Sequence, residues 1–260
     1  MPINGIWRQI DVIGRTGSTN ADLLARPGAA EGMVLVAEEQ TAGRGRMGRS
    51  WVAPPHAALT FSLLLQPSWV PTGKLGWLSL LTGVSVAAAL RGVAGVEAGL
   101  KWPNDVLAGG RKLAGILAEV SGDTVVIGIG LNVSTTPDEL PPPGPGSLPA
   151  TSVYAEGLRT NRPVSLDRAQ LLSGILLAFE RRYAAWRSDH GKIEAIRPEY
   201  RELCVTLGRD VRVEQPGGQV LSGKAVDVDS DGRLVVLVPS PLPGNPARVP
   251  VAAGDVVHVR

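Results

Sequence analysis

The chain has a single cysteine, Cys204, in 260 residues. One thiol excludes an internal disulfide and any cysteine-built metal site. Three scattered histidines, His56, His190 and His258, give that thiol no obvious partner, so it reads as a small core residue rather than a nucleophile. Charge of one sign is also scarce. Twenty-six basic against 24 acidic side chains leave a net +2, too little for a general nucleic-acid binder. No basic-then-apolar signal opens the sequence, and no uninterrupted apolar run reaches the ~18–20 residues of a membrane span. A cytoplasmic protein with no membrane partner is therefore expected. Apolar residues make up 44% of the chain, enough for a globular core in one large domain or one and a half.

Against these absences stands one dense stretch, Gly43-Arg44-Gly45-Arg46-Met47-Gly48-Arg49-Ser50-Trp51. Its glycines let backbone approach a ligand. Its arginines are permanently charged forks suited to phosphate or carboxylate. Taken alone, the run reads equally well as a solvated loop. A disordered Gly/Arg tail is disfavoured, because the run is not repetitive and lies between two strand-like segments, 33–37 and 57–65.

Periodicity and punctuation supply the rest of the organisation. Ser18 or Thr19 starts a helix as N-cap, with Asp22 in its first turn. Strands are expected at 33–39, 57–66, 99–102, 111–120 and 124–132, the last two joined by the hairpin signal Ser121-Gly122-Asp123. Residues 73–92 read as a buried helix and 166–186 as an amphipathic one. The Pro/Gly-rich stretch 137–149 reads as a surface loop. After Cys204 come short Val-rich runs at 205–213, 219–228, 233–238 and 247–259. Pro-Gly-Gly, Asp-Ser-Asp-Gly and Pro-Gly-Asn-Pro separate them. They suggest a small β-barrel that leans on its neighbour for stability.

A second chemical landmark is Lys101-Trp102-Pro103-Asn104-Asp105, a lysine at a strand end before a proline turn. An ordinary surface turn has the same composition. Arg111-Lys112-Leu113-Ala114-Gly115-Ile116-Leu117 follows it, then Gly128-Ile129-Gly130-Leu131-Asn132. Alternating glycine inside a strand points to close approach by a ligand or another segment. Neither a Walker motif nor a dinucleotide fingerprint is present.

In order and spacing these motifs, with Ser18-Thr19-Asn20 and Glu39-Gln40-Thr41-Ala42-Gly43 upstream, resemble the catalytic core of biotin protein ligases. The resemblance covers about residues 10–190 and extends in architecture to the C-terminal barrel. It implies an α+β fold, a mixed sheet with helices packed on it of the class II synthetase-like kind, with an SH3-like barrel. The division expected is 1–203, catalytic, and 204–260, barrel.

The activity implied has two steps. Biotin and ATP give biotinyl-5′-AMP and pyrophosphate, and a lysine of a biotin carboxyl carrier protein domain, from an acyl-CoA or pyruvate carboxylase, then takes the biotin. Mg²⁺ is expected with the ATP, bridging phosphates through their own oxygens and water. By the same resemblance, Ser18, Thr19, Asn20 and Gln40 hold or shape the ureido end of biotin. Arg44, Gly45 and Arg46 wrap its carboxylate and the phosphate, Gly43 is a further biotin-binding residue, and Lys101 sits on the carboxylate and the adenylate oxygen. Gly115 and Gly128 give backbone approach to biotin. Trp51 and Asn132 meet adenine or line its pocket. Lys112 and Asn104 are further ATP candidates, although an exposed lysine and a turn-fixing Asn read equally well. Lys101, Arg46 and Arg44 carry the catalysis, and no protein metal site is expected. Because Ser18 comes within twenty residues of the start, no room is expected for the DNA-binding domain that some members carry. The expectation is a ligase without operator binding, a monomer or weak homodimer. Rival readings are a lipoate or octanoate transferase and a non-catalytic biotin or nucleotide sensor. The arginine loop is expected to be mobile when empty, since three nearby cations repel one another.

Overall fold

The computed structural model describes residues 5–144, 147–239 and 246–259. In chain order the elements are β1 (Gln9–Thr16), α1 (Thr19–Ala25), β2 (Met33–Gln40), β3 (Gly43–Arg44), β4 (Ser50–Trp51), β5 (Ala58–Leu65), α2 (Gly76–Ala89), β6 (Gly99–Lys101), β7 (Asp105–Ala108), β8 (Arg111–Ser121) and β9 (Thr124–Asn132). There follow α3 (Val153–Thr160), α4 (Arg168–Ser188), α5 (Arg197–Leu203), β10 (Asp210–Glu214), β11 (Val220–Val228), β12 (Leu234–Val238), β13 (Ala247–Val251) and β14 (Asp255–His258).

Seven strands form one mixed sheet in the order β1-β2-β5-β9-β8-β7-β6. Only β1 and β2 run parallel, and every other neighbour is antiparallel. Alternation along the strands separates its two faces. Phe61, Leu63, Ile127 and Ile129 share one core with Trp77 and Val84 of α2 and Phe179 and Tyr183 of α4. Leu35, Leu64 and Val126 face the other way and pack with Leu23 of α1. The apolar stretch Thr72–Ala94 has the length and composition of a membrane span, but 72% of an 18-residue apolar window within it is enclosed, as befits a core helix. Its last turn, Leu90–Ala94, is a π turn that ends on Gly95 in the left-handed region, φ 71°.

The second sheet is antiparallel, in the order β13-β12-β11-β10-β14. The expected run 247–259 divides into β13 and β14 around Ala252-Ala253-Gly254. The run 205–213 is strand only from Asp210. Of the expected Pro-Gly-Asn-Pro turn, residues 243–245 lie outside the described residues. This unit leans on its neighbour as expected: its Val211, Val213, Ala225 and Val236 belong to the same hydrophobic cluster as α2 and the large sheet. The Trp77 indole donates to Ser230 O at 3.1 Å and the Trp102 indole to Gly232 O at 3.0 Å. Cys204 is buried, as its lack of a partner suggested.

Candidate active site

One row of the large sheet carries much of the site. Register pairs Lys101 with Asp105, Asp105 with Gly115, Gly115 with Gly130 and Gly130 with Thr60. Over that face lies a cavity of about 290 Å³. Its walls bring together Ser18, Thr19, Asn20 and Gln40, Arg44, Gly45, Arg46 and Trp51, and Asn104, Lys112, Gly115, Gly128 and Asn132. Residues separated by more than a hundred positions thus converge, in the order the motifs suggested. Gly43 and Lys101 are not on the wall. Gly43 pairs with Trp51 between β3 and β4, where an added Cβ would lie 2.4 Å from Trp51 O. Lys101 ends β6, and its side chain makes no ion pair or hydrogen bond among the described residues. Burial pulls its ammonium below the usual range, and Asp105 partly restores it. A desolvated, unpaired ammonium is an electrostatic resource for a developing negative charge.

The polar end is built on the start of α1. Ser18 caps that helix, its side chain accepting from Ala21 N. Thr19 N–H donates to Gln40 Oε1 at 2.8 Å. Asn20 Nδ2 donates to Leu117 O at 3.2 Å and to Glu119 Oε2 at 2.7 Å. The alternating glycines of β9 now have a cause. A Cβ on Gly128 would lie 2.4 Å from Asn20 Oδ1, and one on Gly130 2.3 Å from the Trp51 ring. Both glycines make room for the side chains that form the cavity wall. The Trp51 ring also touches the Gly115 position, and its buried Nε1 has no hydrogen-bond partner.

The cationic end is more fully tied than the sequence suggested. Arg49 pairs with Asp255 of β14 at 2.7 Å, Lys112 with Asp105 at 2.7 Å, and Arg44 with Glu119 at 3.8 Å. Arg46 Nη1 donates to Asn104 Oδ1 at 3.3 Å and Gly254 O at 3.5 Å. Burial lowers its pKa, an effect opposed by Asp255 and Asp105. In this structure the arginine loop makes contacts at several points, where carboxylates and neutral oxygens offset the repulsion among its cations. Met47 at the loop's crest sits in the left-handed region, φ 54°, a conformation that disfavours a side chain.

Asn104 serves both alternatives: its Nδ2 donates to Ile116 O at 2.8 Å, fixing the turn, while its Oδ1 meets Arg46. Asn132 is buried on Thr151 O at 2.9 Å. Trp102 is core, 1% exposed. The Pro/Gly-rich stretch is a surface loop as expected, and it also forms part of the wall through Pro141, Pro142, Pro143, Gly144, Ser147 and Leu148, while residues 145–146 lie outside the described residues. Sequence reasoning also missed Thr60, Ser62, Glu119 and Asp255. Only their position in the folded sheet or on the second unit brings them to the site.

The site is thus a cation-rimmed cavity on one face of a mixed seven-stranded sheet, backed by a small β unit. Residues 11–132 match the profile of the Biotin/lipoate A/B protein ligase family, and residues 206–259 match the Biotin protein ligase C terminal domain. The chain belongs to the biotin protein ligase family. The biotin--[acetyl-CoA-carboxylase] ligase of Mycobacterium tuberculosis is 46% identical over 98% of this chain and 90% of its own length. The bifunctional ligase/repressor BirA of Bacillus subtilis is 35% identical over 87% of this chain and 67% of its own. Among solved structures, the Aquifex aeolicus biotin protein ligase in complex with biotin and ATP superposes with a TM-score of 0.79. It is 26% identical, with 97% of this chain and all of that one covered.

Proposed function

We propose that this ligase joins biotin to ATP as biotinyl-5′-AMP and delivers the biotinyl group to a lysine of a carrier domain in an acyl-CoA or pyruvate carboxylase. The observation that carries the reading is one cavity with hydrogen-bonding side chains of α1 and Gln40 at one end and Arg44, Arg46, Arg49 and Lys112 at the other. That arrangement suits a neutral polar ring joined by an apolar stem to a carboxylate that must meet a triphosphate.

In the first step the biotin carboxylate oxygen bonds to the α-phosphorus, the bond to the β-phosphate bridge breaks, and pyrophosphate leaves. Anion meets anion, so positioning and charge neutralisation supply the catalysis. Arg44 and Arg46 hold carboxylate and phosphate together, and Lys101 stabilises charge at the reacting oxygens. Trp51 and Asn132 take the adenine side. In the second step the carrier amine attacks the acyl carbon of the mixed anhydride, AMP leaves, and the amine loses a proton. Among the described residues no three His, Cys, Asp or Glu side chains gather to hold a metal. Mg²⁺ would enter with the triphosphate, bridging phosphates mainly through their own oxygens and water. The Mycobacterium tuberculosis relative is named for acetyl-CoA carboxylase, which supports a carboxylase carrier as partner. Operator binding is not part of this reading, and a salt-dependent duplex titration would contradict it.

ATP–pyrophosphate exchange tests the proposal, with biotin or lipoate as acid. Biotin-dependent exchange that falls about 10²–10³-fold in Lys101→Ala is expected, the usual cost of one lost transition-state contact. Exchange supported by lipoate instead would transfer the reading to the lipoate branch. Biotin binding without any exchange would make the protein a sensor.

A further inference from the structure

We infer that Glu119 and Ser62, neither of which lines the cavity, are positioning residues that set the donor and acceptor pattern presented to the ring of the acid substrate. This rests on the biotin-ligase reading and deepens it.

Five side chains form a continuous row behind the polar end. Glu119 Oε2 accepts from Asn20 Nδ2 at 2.7 Å. Ser62 Oγ lies 2.6 Å from both Asn20 Oδ1 and Thr19 Oγ1, and Thr19 Oγ1 lies 3.0 Å from Gln40 Oε1. A carboxylate and a main-chain carbonyl can only accept. Glu119 and Leu117 O therefore fix the Asn20 amide with both N–H groups turned toward β8 and its oxygen toward Ser62. Ser62 has one proton to give. The Asn20 oxygen cannot donate, so it accepts from Ser62, which shares its single proton with Thr19 Oγ1, while Thr19 gives its own hydroxyl proton to Gln40 Oε1. Gln40 Oε1 is already engaged by the Thr19 backbone N–H at 2.8 Å. Its amide nitrogen is thereby turned outward as a donor.

The outcome on the cavity side is definite. Asn20 Oδ1 keeps one lone pair for a substrate N–H, and Gln40 Nε2 keeps donors for a substrate carbonyl. A cyclic urea carries that complement, two N–H groups beside a C=O. Register explains the placement: Ser62 and Leu117 are the two cross-strand partners of Gly128, the residue over which Asn20 lies. Ser62 is fully enclosed, so its hydroxyl has no water to substitute for these partners. The other Glu119 oxygen lies 3.8 Å from Arg44. That pair is exposed and weak, so the main effect of Glu119 falls on the ring of the acid and not on ATP.

The test uses the full chain with Glu119→Gln, Ser62→Ala and the double substitution. Calorimetry reads biotin binding in the absence of ATP, and pyrophosphate exchange reads kcat and both KM values. The expected result is a biotin Kd and KM about tenfold higher in each single variant, with kcat and the ATP KM within twofold of wild type. Because both act through Asn20, the double variant should lose less than the product of the single losses. Unchanged biotin binding in both single variants overturns the inference. So does a rise in the ATP KM equal to that for biotin, which would indicate general distortion. A wild type that binds no biotin removes the ligase reading itself.

Discussion

Arg46 shows how much one side chain depends on its surroundings. It lies among other cations and is largely desolvated, and neutral oxygens of Asn104 and Gly254 meet it where a carboxylate would be expected. Hydrogen-bonded to neutral acceptors, with Asp105 and Asp255 acting only through space, it keeps its charge available to an incoming anion. Replacing Arg46 with Gly removes that charge and the two contacts that hold the loop over the cavity. The expected outcome is a severalfold rise in free adenylate released to solvent, read by chromatography of a single-turnover reaction, because a loosened loop no longer shields the mixed anhydride from water. Equal release from variant and wild type would remove the shielding role. Arg46 was prominent in the sequence. Its acceptors were not, since 58 and 208 positions separate them from it.

At the scale of elements, β9 joins recognition to packing. Its Ile127, Ile129 and Leu131 face the hydrophobic core, while Gly128 and Gly130 face the site. One strand therefore needs branched apolar residues and bare backbone at alternate positions, which is why its composition looked unusual. Gly130→Ala places a methyl group 2.3 Å from the Trp51 ring, closer than any contact that ring can tolerate. The ring must move, and exchange should fall at least tenfold in kcat/KM. Far-ultraviolet circular dichroism should stay unchanged, because alanine is compatible with strand backbone. Full activity would show that Trp51 has no fixed place in the reaction. The alternation itself was legible in the sequence. What it accommodates was not, because Asn20 and Trp51 reach β9 only through the sheet.

Across the whole molecule, the small unit is joined to the large one by charge as well as by apolar contact. Asp227 of β11 pairs with Arg197 at 2.8 Å and with Arg201 at 2.5 Å, both on α5. Burial alone would raise its pKa. Hydrogen bonds from Arg201 and Val228 N–H, with the charges of Arg197 and Arg201, outweigh that and hold it below the ordinary 3.8. A carboxylate with a depressed folded-state pKa contributes stability that is complete above its unfolded value and is lost as pH falls through the folded one. Asp227→Asn should cost about 1–3 kcal/mol at neutral pH. It should also flatten the decline in Tm between about pH 5 and pH 2 relative to wild type. Parallel Tm-against-pH curves would show that Asp227 does not join the two units.

The local chemistry of this protein was determined by the sequence alone. Glycine and arginine spacing, the capped start of α1, the lysine before a proline turn and the Val-rich C-terminal strands all express short-range rules of backbone freedom, charge and periodicity. The family resemblance followed from those motifs. Tertiary structure decided what the motifs touch: Lys101 buried without a side-chain partner among the described residues, a proline-rich loop forming part of the cavity wall, Asp255 reaching from the second unit to Arg49, and Ser62 and Glu119 against Asn20. None of these follows from local pattern, because strand register and the docking of two units bring together residues far apart in the chain. A buried polar group's partner depends on what is packed beside it, which only the folded chain fixes.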